Sequence, residues 1–146
     1  MPGSDAGAAY VFTRSGTTWT QQQKLTGDSG LSNKSLGDGG LAVSSDGNTI
    51  VAGQRFQSTP VNFAGAVRIF TRSGVVWSEH SVLHATPSSD SAQFGMALSL
   101  SADGLLLAIS ASGEATNSGA VYLFEYTGGV WTQLSKTVAT DAANGS

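Results

Sequence analysis

The chain states one stretch three times, and that repetition limits its fold more than any other feature. Gly7–Leu25 reads GAAYVFTRSGTTWTQQQKL, Gly65–Leu83 reads GAVRIFTRSGVVWSEHSVL, and Gly119–Thr137 reads GAVYLFEYTGGVWTQLSKT. Each copy opens on Gly-Ala, places a Phe five residues after the Gly, and places a Trp seven residues after that Phe. Repetition at a period of 50-odd residues marks an architecture of stacked supersecondary units.

Within each copy the side chains alternate. Ala9, Val11 and Thr13 share one face, and Ala8, Tyr10 and Phe12 the other, which is the period of a β-strand. Arg14-Ser15-Gly16-Thr17 is turn chemistry, and the Trp-bearing stretch returns as a second strand. Between the copies lies a second hairpin. Gly40–Ser44 turns at Asp46-Gly47 into Thr49–Gly53, and Ala97–Ser101 turns at Asp103-Gly104 into Leu105–Ser110. The returning strands, TIVAG and LLLAIS, are apolar on both faces and are expected to be covered on two sides. Leu25 to Leu36 and Leu83 to Phe94 both span eleven residues, so the register is kept.

Four short strands per unit, tight turns and one aromatic anchor predict an all-β fold of β-propeller-type, four-stranded antiparallel blades. Residues 7–25 form an N-terminal half-blade, 36–83 and 94–137 two full blades, with a polar lead-in at 1–6 and a polar tail at 138–146. Closed propellers use about four to eight blades. The chain is therefore expected to be a segment of a longer propeller or a subunit of an assembly, its array completed by a protein partner or further copies. Bare apolar surface is expected around Tyr10, Val11 and Phe12 at one end and Val121, Leu123 and Phe124 at the other.

Composition narrows the function. Charged residues make up 12% of the 146, about half the usual share, and Gly, Ser, Thr and Ala take their place. Seven scattered basic residues against a net charge of −3 do not build a phosphate-binding surface, so no nucleic-acid partner is expected. No apolar run reaches membrane-spanning length, and residues 1–5 carry no signal-peptide pattern. Cysteine is absent, which removes disulfides, thiolate metal sites and cysteine nucleophiles.

The chain resembles the FG-GAP repeat family, whose members include the β-propeller of integrin α chains. The matching pieces are Phe94-Gly95, with Leu36-Gly37 in the earlier copy, the Ser-x-Asp-Gly turns at Ser44–Gly47 and Ser101–Gly104, and the Gly-Ala-aromatic strands. The resemblance covers nearly everything from Gly7 to Thr137 and is closest to bacterial-type arrays. It implies a propeller fold and a range of roles in adhesion, sugar binding, scaffolding and enzyme-associated domains. Two departures stand out: Val51–Gln54 and Ala108–Ala111 replace the Gly-Ala-Pro element, and the calcium loop of integrin blades keeps only its last Asp, at Asp46 and Asp103.

The candidate site residues are few. Calcium takes six to eight oxygens, and one Asp with two hydroxyls per loop reads as turn chemistry. His80 and His84 read as solvent-facing histidines, since no second ligand cluster accompanies them. No Gly-x-Ser-x-Gly and no Gly-rich phosphate loop occurs, so the chain is expected to be no enzyme and to need no cofactor or metal. Trp19, Trp77 and Trp131 recur once per unit as structural anchors do, though aromatic faces also suit sugar rings. Tyr10, Arg68 and Tyr122 occupy one equivalent position, expected to be partly exposed at a blade face or rim. With Trp77 they are the candidate ligand contacts. The expected role is a non-catalytic structural or interaction module, extracellular or on a virion or filament surface. The alternatives are a lectin-like carbohydrate-binding module and a calcium-dependent adhesion module.

Overall fold

A computed structural model describes residues 7–27 and 36–140. The expected lead-in at 1–6, most of the first polar loop and the end of the tail lie outside the described residues. Ten strands follow in order: β1 (Ala9–Ser15), β2 (Thr18–Leu25), β3 (Leu41–Val43), β4 (Thr49–Gln54), β5 (Ala66–Ser73), β6 (Val76–Leu83), β7 (Phe94–Leu100), β8 (Leu106–Ala111), β9 (Ala120–Thr127) and β10 (Val130–Thr137). They form a two-stranded sheet β1-β2 and two four-stranded antiparallel meanders, β3-β4-β5-β6 and β7-β8-β9-β10. These are the half-blade and the two blades read from the repeats.

Among the described residues one helix interrupts the pattern, α1 (Glu114–Asn117), a single turn between β8 and β9. The sequence gives no helical periodicity there. Glu114 is buried by contacts from elsewhere in the chain, so tertiary packing settles the turn.

The Ser-x-Asp-Gly turns are self-contained. Ser44 Oγ donates to Asp46 Oδ1 at 2.5 Å and accepts the Thr49 amide at 3.0 Å. Ser101 Oγ does the same with Asp103 Oδ1 and the Leu106 amide, at 2.5 and 2.9 Å. The hydroxyl closes the turn in both blades, and the carboxylate takes the next free amide, of Asn48 or Leu105.

Blades stack through two apolar seams. Ala9 and Val11 of the half-blade meet Ile50, Ala52, Phe70 and Trp77 of the first blade. Val51, Val67 and Ile69 of the first blade meet Phe94, Leu107, Ile109, Tyr122, Phe124 and Trp131 of the second. In the first two Gly-Ala strands the odd-numbered residues (Ala9, Val11; Val67, Ile69) face the following unit, and in the last two the even-numbered Phe70, Tyr122 and Phe124 face the preceding one. At the second seam the backbones come so close that only glycine fits. A Cβ on Gly53 would lie 2.1 Å from the carbonyl oxygen of Gly95, and the Gly40 amide donates to that same oxygen at 3.0 Å. This is the physical use of the Phe-Gly pair: Phe94 fills the seam, and Gly95 lets the chains touch.

Each Trp strand carries a bulge at the same place. The register slips opposite Val11/Phe12, Ile69/Phe70 and Leu123/Phe124, leaving Gln22, His80 and Leu134 as the extra residue in the three copies. Three different residue types sit there, so nothing in the sequence marks it. The bulged side chain reaches the following unit. Trp77 Nε1 donates to Gln22 Oε1 at 2.9 Å, and the His80 ring meets Tyr126 edge-on at 5.4 Å. Leu134, with no described unit after it, is exposed.

Candidate interaction surfaces

The position shared by Tyr10, Arg68 and Tyr122 is not a partly exposed rim. Arg68 is 1% exposed and Tyr122 0%, whereas Tyr10 is 52% exposed. The correction has a simple cause: in both full blades this side chain points into the seam with the preceding unit, and only the half-blade has no described unit in front of it.

Burial obliges each polar group to find a partner. Arg68 Nε donates to Gln54 Oε1 at 2.6 Å, and its Nη1 pairs with the Glu79 carboxylate. In the second blade the Tyr122 hydroxyl donates to Glu114 Oε2 at 2.9 Å. Ser89 Oγ and Lys136 Nζ reach the other oxygen, Oε1, at 2.7 and 3.0 Å. Burial pushes the Glu114 carboxyl up, but hydrogen bonds from Ser89, Lys136 and Tyr122 outweigh it and hold the group below its ordinary value. Burial, and then the bond to Glu114, push the Tyr122 hydroxyl up. Lys136 lies opposite Tyr122 and Lys24 opposite Tyr10, with ammonium groups 5.5 and 5.8 Å from the ring centres. The first blade has Val82 there and carries its cation on Arg68 instead. These are structural networks, and they leave neither Arg68 nor Tyr122 a free face.

The tryptophans divide in the same way. Trp77 and Trp131 are buried anchors, whereas Trp19 is 64% exposed. Gln23 holds Trp77 by its backbone, accepting its amide and donating to its carbonyl, both at 2.8 Å. Trp131 packs against Tyr126 with ring centres 5.3 Å apart. A sugar ring has no open indole at Trp77. On the half-blade, however, Tyr10, Phe12 and Trp19 form an exposed aromatic strip on one face, since Trp19 pairs with Arg14 across the hairpin.

The turn carboxylates are committed to the backbone and to Ser hydroxyls. Those bonds, from Ser44 and Ser101 first, hold Asp46 and Asp103 below the ordinary carboxylate value. Among the described residues no three His, Asp or Glu side chains gather as metal ligands. His80 is exposed, its Nδ1 2.6 Å from Ser81 Oγ. His84 departs from the expected solvent-facing placement: it is half-buried just past the end of β6.

At the far end, one face of the second blade is uncovered among the described residues. Val121 is exposed and Leu123 half-buried there, beside a shallow trough lined by Ala97, Ser99, Ala108 and Ser110. Phe124, expected on this bare surface, is instead buried against Phe94 in the seam, because its alternation turns it inward.

A comparison with curated proteins finds no match to this chain. Residues 77–124 match the FG-GAP repeat model, from the Trp strand of the first blade across the Phe94-Gly95 seam to β9 of the second. The chain thus carries an FG-GAP repeat at residues 77–124, set within two four-stranded blades and a leading two-stranded sheet.

Proposed function

We propose that this chain is a non-catalytic, surface-associated or extracellular interaction module, a propeller-type scaffold that stacks against further units of its own kind. One observation carries the reading. Val67 and Ile69 are wholly buried beneath the second blade, while Val121 and Leu123, at the same positions one unit later, face outward. An apolar face that is core in one copy and surface in the next is an interface in waiting. Sedimentation velocity of the chain at micromolar concentration tests it. Association that weakens on Val121→Lys supports the reading, and a cooperatively folded monomer indifferent to that change overturns it.

The exposed strip of Tyr10, Phe12 and Trp19 favours a second reading, carbohydrate binding on the half-blade. That reading expects a saturable glycan titration lost on Trp19→Ala with the melting temperature unchanged.

A further inference from the structure

The half-blade lacks, among the described residues, the inner hairpin that both full blades carry. Among the described residues β1 pairs only with β2, whereas the equivalent strands β5 and β9 are each paired on both edges. An unpaired edge offers its amides and carbonyls to an incoming strand. We propose that the free edge of β1 takes up, by strand addition, the inner hairpin of another repeat of this type. This goes beyond the stacking proposed for the second blade and concerns the opposite end of the chain.

The two filled copies specify the partner. Opposite the position of Phe12 stand Ile50 and Leu107; opposite that of Tyr10 stand Ala52 and Ile109. Between them Val11 would face a Val or Ala, as Ile69 faces Val51 and Leu123 faces Ala108. Ala9 would face a Gly or Ser, like Gly53 and Ser110. The incoming strand therefore reads Ile/Leu, Val/Ala, Ala/Ile, Gly/Ser, with its partner hairpin strand beyond it. Between the two templates the second blade fits better. Its Tyr122, Phe124 and Trp131 repeat the half-blade's Tyr10, Phe12 and Trp19, whereas the first blade has Arg68 bonded to Gln54.

The test uses the full chain and a synthetic hairpin of residues 94–111, read by amide hydrogen exchange. The hairpin is expected to slow exchange of the Ala9–Thr13 amides by about tenfold, saturably. A hairpin of residues 36–54 is expected to be weaker. Changing Ile109→Asp in the hairpin alone abolishes protection without touching the protein, and Phe12→Lys in the chain does the same while β5–β6 exchange stays unchanged. Equal protection by a scrambled peptide overturns the proposal. So does slow exchange of these amides at every dilution without any hairpin, since the edge is then filled by the chain itself. Sedimentation reads the blade-two face and exchange reads β1, so failure of one is distinguishable from failure of the other.

Discussion

The two full blades share strand order, turn chemistry and bulge, yet their central strands live in different surroundings. In β4 every residue from Ile50 to Gln54 is buried, while in β8 burial alternates, with Leu107, Ile109 and Ala111 inside and Leu106, Ala108 and Ser110 at least partly open. The expectation that both strands are covered on two sides holds only for the first. Among the described residues blade one lies between two sheets and blade two has one covered face. The difference shows that within a stack the burial of a residue belongs to its neighbour as much as to its own strand.

The sharpest way to break the comparison is to put the same charge at the same position in each blade. Val67→Lys places an unpaired ammonium in the closed seam and is expected to cost about 4 kcal/mol or more, whereas Val121→Lys, at a concentration low enough to keep the chain monomeric, stays within about 0.5 kcal/mol. Urea unfolding of both variants checks it, and similar losses would mean that the second blade is covered too. A smaller contrast lies directly opposite, on the paired strand. Gly53→Ala drives a methyl into the Gly95 carbonyl and is expected to cost about 2 to 3 kcal/mol. Ser110, at the same position in blade two, already carries a side chain there, so Ser110→Ala meets no clash. It is expected to cost only about 1 kcal/mol in the same assay, for the hydroxyl that accepts the Ala97 amide at 2.9 Å.

Below these comes the pair of buried networks. Tyr122→Phe leaves Glu114 with one donor fewer and is expected to cost about 2 kcal/mol at neutral pH, a hydrogen bond to a charged acceptor. The smallest effect is in pH. Glu114 titrates below its ordinary value when folded, so its stabilisation is complete above the unfolded carboxyl's value and fades as pH falls through the folded one. Glu114→Gln should therefore flatten the acid limb of the stability profile, measured by melting temperature between neutral and acid pH. An unchanged limb would place the acid sensitivity elsewhere.

The strand order was legible because it rests on local signals. Gly-Ala, Phe and Trp at fixed spacing announce the outer hairpins, and Asp-Gly the inner ones. What was illegible depends on adjacency. Tyr10 and Tyr122 are the same residue in the same motif, and only the presence of a preceding unit makes one surface and the other core. The same holds for Trp19 against Trp131. Arg68 misled because an arginine in a strand reads as a surface group, while Gln54 and Glu79, distant in sequence, satisfy it.

The bulge carries a consequence for how such arrays grow. Because the backbone holds the extra residue wherever the Trp strand is copied, its identity is free to drift while its direction is kept. In this chain Gln22 meets an indole N–H and His80 meets a tyrosine ring. Each junction is thus written in two halves, one on either side of the seam. A duplicated unit brings its outgoing half to a neighbour that holds a different incoming half. Order along the array is then inherited as matched junctions, and shuffling units without their neighbours breaks the match at both ends of every insertion.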